Sequence, residues 1–210
     1  RFLTAAGVSA IILTARGFDS RRLHHLWPRP ALAGRFHFAE FSMNKESFAD
    51  SLKRGPHRLL ARLHGRWQGT VRTWFEPGKL ADTQPIKAAI RPILEGRFAL
   101  LTYTSKLVGT KMLGHAKIGH DVARGKFLMS WADSAHNGTN IMTLLQDREA
   151  LPREFSLRGS YADPSGGPDW GWRIVFRLSS PRRLVITHYN ILPTGQEAMA
   201  VEMVLTRAQS

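Results

Sequence analysis

Gly65-Arg66-Trp67-Gln68-Gly69-Thr70 closes a helix-like segment and opens a long series of strand-like ones, and the reading of this hexapeptide decides the fold. A glycine lets the chain leave a helix in a left-handed conformation, and an indole two residues later is placed to plug the closed end of a barrel. Such a plug needs a lid. An arginine from the final strand, lying on the indole face, would supply one, and Arg207 ends the last strand-like run, Met199 to Arg207. Gly65, Trp67 and Arg207 are therefore the expected closure residues. The competing reading makes Trp67 an ordinary core aromatic, and only the flanking pattern separates the two.

On the N-terminal side, Phe48, Leu52, Leu59, Leu60 and Leu63 form an apolar stripe of helical spacing interrupted by Gly55-Pro56. Residues 43–64 are expected to be a helix or helix pair covering one mouth of the barrel. Residues 1–42 differ in character. The apolar run Leu3 to Ala15, about 13 residues, falls short of the roughly 20 that span a bilayer. It lacks a small-x-small cleavage site at the right distance, because Ala31-Leu32-Ala33 lies beyond both Arg21-Arg22 and Trp27-Pro28-Arg29-Pro30. The preferred reading is a start at Met43 with 1–42 as a non-native or disordered extension; a degenerate export or anchor segment is the alternative.

On the C-terminal side, branched and aromatic residues bounded by turn signals mark ten strands. They are Trp67–Glu76, Ile86–Leu94, Arg97–Lys106, Met112–His120, Lys126–Ala132, Asn140–Leu145, Glu154–Tyr161, Trp172–Leu178, Leu184–Ile191 and Met199–Arg207. Turn residues fill the gaps, as in Glu76-Pro77-Gly78-Lys79, Asp163-Pro164-Ser165-Gly166 and Leu192-Pro193-Thr194-Gly195. Many short strands on short loops favour an all-β, antiparallel, up-and-down barrel of eight to ten strands over residues 65–210, with a sandwich as the rival. A closed barrel of this size either fills its interior with side chains or holds one small ligand.

The net charge is +14, and 22 of the 30 basic residues are arginine, scattered along the chain. Residues 1–42 hold six arginines against Asp19 and Glu40, so ten of the fourteen positive charges belong to the remainder. Such a field attracts nucleic acid or anionic surfaces without specificity, and no helix-turn-helix, zinc-finger or ribonucleoprotein pattern accompanies it. The chain has no cysteine. That removes disulfides, thiolate metal sites and thiol nucleophiles, and it fits the cytoplasm while leaving export open.

Several segments carry a family resemblance. Gly65-Arg66-Trp67-Gln68-Gly69-Thr70, Trp74-Phe75-Glu76-Pro77-Gly78, Ile90-Arg91-Pro92-Ile93-Leu94-Glu95-Gly96-Arg97-Phe98, Ile118-Gly119-His120-Asp121, Trp131-Ala132-Asp133-Ser134 and Gly159-Ser160-Tyr161-Ala162-Asp163-Pro164 resemble the bacterial domain of unknown function 1579 family. The resemblance implies a lipocalin-like barrel and no activity. It also departs from the family at His120, where tyrosine is frequent, so nothing that depends on that position carries over.

No catalytic constellation emerges. Asp133-Ser134-x-His136 gathers three reactive residue types, but Ser134 lacks the glycines of a nucleophile elbow, and Asp133, Ser134 and Asn137 are expected to shape a turn instead. His115 and His120 are five apart, so on one strand they face opposite sides and cannot chelate one metal ion. No metal site is expected. By strand parity and residue type, Tyr103, Trp131, Met142, Trp172, Arg173 and His188 are the expected ligand-lining residues, with an interior arginine suited to an anionic head group. The leading reading is a small-molecule barrel for an apolar or amphipathic ligand. One alternative is haem bound through His188, since haem-binding nitrobindin-like barrels resemble this chain in the Gly-x-Trp-x-Gly opening. A second is non-specific anion or nucleic-acid binding by the basic surface. The oligomeric state is open between monomer and homodimer.

Overall fold

The computed structural model describes residues 45–163 and 165–209, so the extension assigned to 1–42 lies outside the described residues. Two helices, α1 (Lys45–Arg54) and α2 (Pro56–Leu63), precede ten strands. These are β1 (Gly65–Glu76), β2 (Lys79–Ile93), β3 (Phe98–Leu107), β4 (Thr110–Asp121), β5 (Lys126–Asp133), β6 (Met142–Gln146), β7 (Glu154–Tyr161), β8 (Trp170–Ser180), β9 (Arg183–Ile191) and β10 (Glu197–Arg207). The strands close in the order β1-β10-β9-β8-β7-β6-β5-β4-β3-β2. Every strand pairs antiparallel with its sequence neighbours and β1 pairs with β10, so the sheet has no free edge. Among the described residues no helix is long and apolar enough to cross a membrane.

All ten expected strands are present, with one marked difference in length. β2 begins at Lys79 rather than Ile86, because the β1–β2 ladder continues up to Glu76↔Lys79. Asp82 and Pro85 disguise this part of the strand. Pro85 lies before the ladder to β3 begins at Lys87↔Thr104, and Ser105 Oγ donates to its carbonyl at 2.8 Å. A proline is tolerated there because that part of β2 is paired on one side only.

Period-two alternation decides which side chains face inward. In β5, Phe127, Met129, Trp131 and Asp133 are buried while the residues between them are less so. Burying apolar side chains such as Phe127, Met129 and Trp131 contributes about 1.5–3 kcal/mol each, which makes the apolar interior the main source of stability. Two aromatic groups occupy the two ends. At the helix end, Phe127 stacks on Phe155 with centroids 4.3 Å apart, and Phe155 on Phe176 at 4.9 Å. At the far end, Trp131 stacks on Trp172 at 5.9 Å with the His188 ring edge-on to both.

The helix end is closed by a layered contact. Leu59, Leu60 and Leu63 of α2 are buried, and Trp67 Nε1 donates to the Leu63 carbonyl at 2.9 Å, tying the first strand to the last turn of the helix. The Arg207 guanidinium lies 4.2 Å from the Trp67 ring centre. It also donates to the carbonyls of His64, of Arg62 at 2.8 Å and of Pro181 at 3.0 Å. Gly65 has φ 141°, and a Cβ there would overlap the Arg207 guanidinium. Glycine at 65 is thus what lets the arginine reach the helix carbonyls.

Candidate functional site at the barrel rim

Opposite the helices, the ends of β3, β5, β8 and β9 bring together Tyr103, Trp131, Asp133, Trp172 and His188, all buried. Asp133 organises the loop that follows it. Its Oδ1 accepts the backbone N–H groups of Ala135 at 3.0 Å, His136 at 2.5 Å and Asn137 at 3.3 Å. Its Oδ2 accepts the Tyr103 hydroxyl at 2.9 Å and lies 2.7 Å from His136 Nδ1. Ser134 Oγ accepts the Leu113 N–H at 3.0 Å, and Asn137 Nδ2 donates to the Trp131 carbonyl at 3.2 Å. Asp133, Ser134 and Asn137 therefore do shape the turn.

These bonds settle what the cluster can do chemically. Burial alone would raise the Asp133 pKa, but the His136 ring, its backbone N–H and the Tyr103 hydroxyl outweigh it and hold the carboxyl at about 2. Tyr103 is pushed well above its ordinary range, first by burial and then by the Asp133 charge. An aspartate this acidic, with both oxygens occupied, is a poor base, and a tyrosine this reluctant to ionise is a poor acid. Ser134 Oγ is engaged by a backbone donor, and among the described residues no hydrogen bond joins it to a histidine or carboxylate. The constellation is an anchoring network.

His188 is held neutral. Burial, followed by the nearby His136, lowers its pKa to about 3. The Trp172 indole N–H points at His188 Nδ1 from 3.3 Å, so Nδ1 accepts and the proton resides on Nε2. The space enclosed by Tyr103, Trp131, Ile174, His188 and Met203 amounts to about 10 Å³. That is room for about one water molecule, and none for a porphyrin or an acyl chain. The residues present at His188 do not fit haem. Nor, among the described residues, do three or more His, Cys, Asp or Glu side chains converge as metal ligands.

Of the six expected lining residues, Tyr103, Trp131, Met142, Trp172 and His188 face the interior and pack on their neighbours. Arg173 does not. It follows Trp172 on β8 and so faces outward, where its guanidinium pairs with Glu197 and lies 4.0 Å from the Tyr189 ring centre. His115 and His120 stand on opposite faces, His115 exposed on the outside and His120 within 5.7 Å of His57 beneath α2.

A larger space than the one around His188 lies at the rim. Pairing of β1 with β10 stops at Thr73↔Val201, and β10 carries an irregularity between Met199 and Val201. Beyond that point, Trp74 and Pro77 on one side, Met199 and Ala200 on the other, and Trp170 with Asn190 bound a mostly apolar recess of about 250 Å³. Asn190 Oδ1 accepts the Tyr161 hydroxyl at 2.7 Å, which fixes the orientation of one polar group in the wall. Trp74 and Pro77 lie in a segment that carries the family resemblance, but none of these wall residues was expected to line a site. The turn signal at Glu76-Pro77-Gly78 marked the hairpin, but a recess made by two strands parting at a bulge leaves no local pattern.

Residues 53–207 match the model of a family described as "Protein of unknown function (DUF1579)". No curated protein matches the sequence. Among solved structures, the crystal structure of Rv2717c from M. tuberculosis is similar, with a TM-score of 0.51 and 12% identity over 73% of this chain and 98% of that chain. At that identity the likeness concerns the fold alone.

Proposed function

Because the chain belongs to the DUF1579 family of proteins of unknown function, which brings a barrel without an activity, we propose that it binds a small apolar or amphipathic molecule at the barrel rim. The observation that carries this reading is the recess of about 250 Å³ between Trp74, Trp170 and Met199, set beside the space of about 10 Å³ around His188. Small-molecule sites are concave, mostly apolar and furnished with a few placed polar groups. Asn190 and Gln196 are the uncharged polar groups available here, beside Glu76, whose carboxylate is paired with Lys79. The interior residues Tyr103, Trp131, Met142, Trp172 and His188 then support the rim from below and do not touch the ligand.

Tryptophan fluorescence during titration with sodium decanoate tests the reading, since Trp74 and Trp170 line the recess. The expected result is a saturable change that weakens at least tenfold in Met199→Trp, a substitution that fills the recess. A titration without saturation, or one that Met199→Trp leaves untouched while the protein melts normally, would reject it. Native mass spectrometry of protein purified from its own host identifies the resident molecule.

A further inference from the structure

A second concave surface lies on the outside of the barrel, away from the rim. The outward rows Arg66–Ala89–Thr102–His115–Ala132 and Gln68–Lys87–Thr104–Leu113 run across β1 to β4 or β5 in register. They form the floor and walls of an open groove of about 870 Å³. Small side chains at Ala89, Thr102 and Ala132 keep the floor low, while Arg66, Lys87 and His115 stand exposed around it.

The charge on this face is uncompensated. The carboxylates of β1–β5 are Glu76, Asp82, Asp121 and Asp133, each near a strand end and each engaged. Glu76 meets Lys79, Asp82 accepts the Val108 N–H, Asp121 meets Arg124, and Asp133 is turned inward. Among the described residues none of Arg66, Lys87 and His115 forms an ion pair. Lys106, Lys111 and Lys117 extend the same sign along the outside of β3 and β4. Residues 1–42 carry a net excess of four positive charges, so they are no electrostatic match for this groove.

We propose that the groove binds a ligand carrying several phosphate groups, recognised through the phosphates alone. Guanidinium, ammonium, hydroxyl and amide donors are the groups that contact phosphate oxygens in a sequence-independent way, and the groove offers Arg66, Lys87, Thr102, Thr104 and Gln68. What it does not offer is an exposed Trp, Tyr or Phe platform; the exposed ring among its lining residues is the His115 imidazole. Trp67 and Tyr103 contribute to its lining, but both are buried with their rings directed into the barrel. Single-stranded nucleic-acid grooves pair their cations with exposed aromatic platforms, so this groove suits a base-free polyanion such as a short inorganic polyphosphate. Binding here is independent of the rim recess, which lies near the ends of β1, β8, β9 and β10.

Calorimetric titration with sodium tripolyphosphate at 50 and 200 mM NaCl tests the proposal. The expected result is stoichiometric binding that weakens with salt and falls at least tenfold in Lys87→Glu and in Arg66→Glu, both exposed positions whose change should leave the melting temperature in place. Arg153→Glu, an exposed reversal in the β6–β7 loop outside the groove, should change binding less than twofold. No binding at 50 mM NaCl overturns the proposal. Equal losses from Arg153→Glu and Lys87→Glu also overturn it, by reducing the effect to overall charge. Oligothymidylate or polyglutamate binding more than tenfold tighter than tripolyphosphate, at matched charge, overturns the assignment to phosphate without base.

Discussion

Tyr103 reaches Asp133 across a strand that places no side chain between them. The two residues flank Gly114 in register, Tyr103↔Gly114 and Gly114↔Asp133, and the phenol lies against the glycine so that its hydroxyl meets the carboxylate at 2.9 Å. A Cβ at position 114 would overlap the Tyr103 ring. Gly114→Ala is therefore expected to cost about 1–3 kcal/mol in urea denaturation, the range for overpacking a well-filled core. Gly114→Ala with Tyr103→Leu should cost less than the two changes summed, because the smaller side chain removes the clash. Strict additivity would show that the ring does not depend on the glycine.

The Asp133 network gives stability a defined dependence on acidity. Its carboxyl is held at about 2 in the fold against an ordinary value of 3.8. The unfolded chain therefore takes up this proton first as pH falls. The contribution is complete above pH 3.8 and is lost as pH falls through about 2; at 1.36 kcal/mol per unit it amounts to about 2 kcal/mol. Asp133→Asn should be less stable than the parent by about that amount at pH 7. The gap should shrink below pH 3, as measured by urea midpoints across pH.

His188 works in a higher window with the same sign. Its pKa is depressed to about 3 from an ordinary 6.5, so between those values the unfolded chain is protonated there and the folded one is not. Stability from this group is complete above 6.5 and falls at about 1.4 kcal/mol per pH unit as the solution is acidified toward 3. His57, His64 and His120 are lowered in the same direction, each first by burial, and they remain in any His188 variant. The test is thus a difference: His188→Gln, which keeps an acceptor for the Trp172 N–H, should lose stability less steeply than the parent over this range. Parallel curves would mean that His188 is protonated in the fold.

Much of the fold is legible in the chain because its code is local. Alternation of apolar residues marks the inward faces, glycine and proline mark the hairpins, and the helical stripe from Phe48 to Leu63 changes period at Gly65. Parity also explains why Arg173 must face outward once Trp172 faces in. The candidate sites are less legible because they are made by relations between strands. The rim recess depends on where β1 and β10 part, and the outer groove on the register that aligns Arg66, Ala89, Thr102 and His115 from four strands. Whether an interior is open or filled depends on the summed volume of side chains from all ten strands, which no single segment announces.

Arg207 acts as one fixed fork rather than as a charge. It contacts three carbonyls and the Trp67 face at once, which a lysine ammonium on a flexible stem cannot reproduce. Arg207→Lys is expected to lose about 2 kcal/mol or more, because part-buried carbonyls of Arg62 and His64 are left without a donor. Thermal denaturation of the parent and of Arg207→Lys checks this. A variant that melts with the parent would show that water replaces the guanidinium at no cost.

The β3–β4 hairpin holds a residue in a conformation that its side chain disfavours. Leu107↔Thr110 closes a two-residue turn in which Val108 has φ 46° and Gly109 φ 80°. Positive φ at both positions is the turn that matches strand twist, and asparagine followed by glycine is its preferred sequence. A β-branched residue crowds its own backbone there, at a cost of about 1–2 kcal/mol, which Asp82 offsets by accepting the Val108 N–H at 2.6 Å. The valine side chain is 64% exposed and contributes little packing in return. Val108→Asn keeps the N–H for Asp82 and relieves the crowding, so it should raise stability by about 0.5–1 kcal/mol, measured as a higher urea midpoint with an unchanged slope. Unchanged or lower stability would show that Val108 packs in solution or that the turn adopts another form.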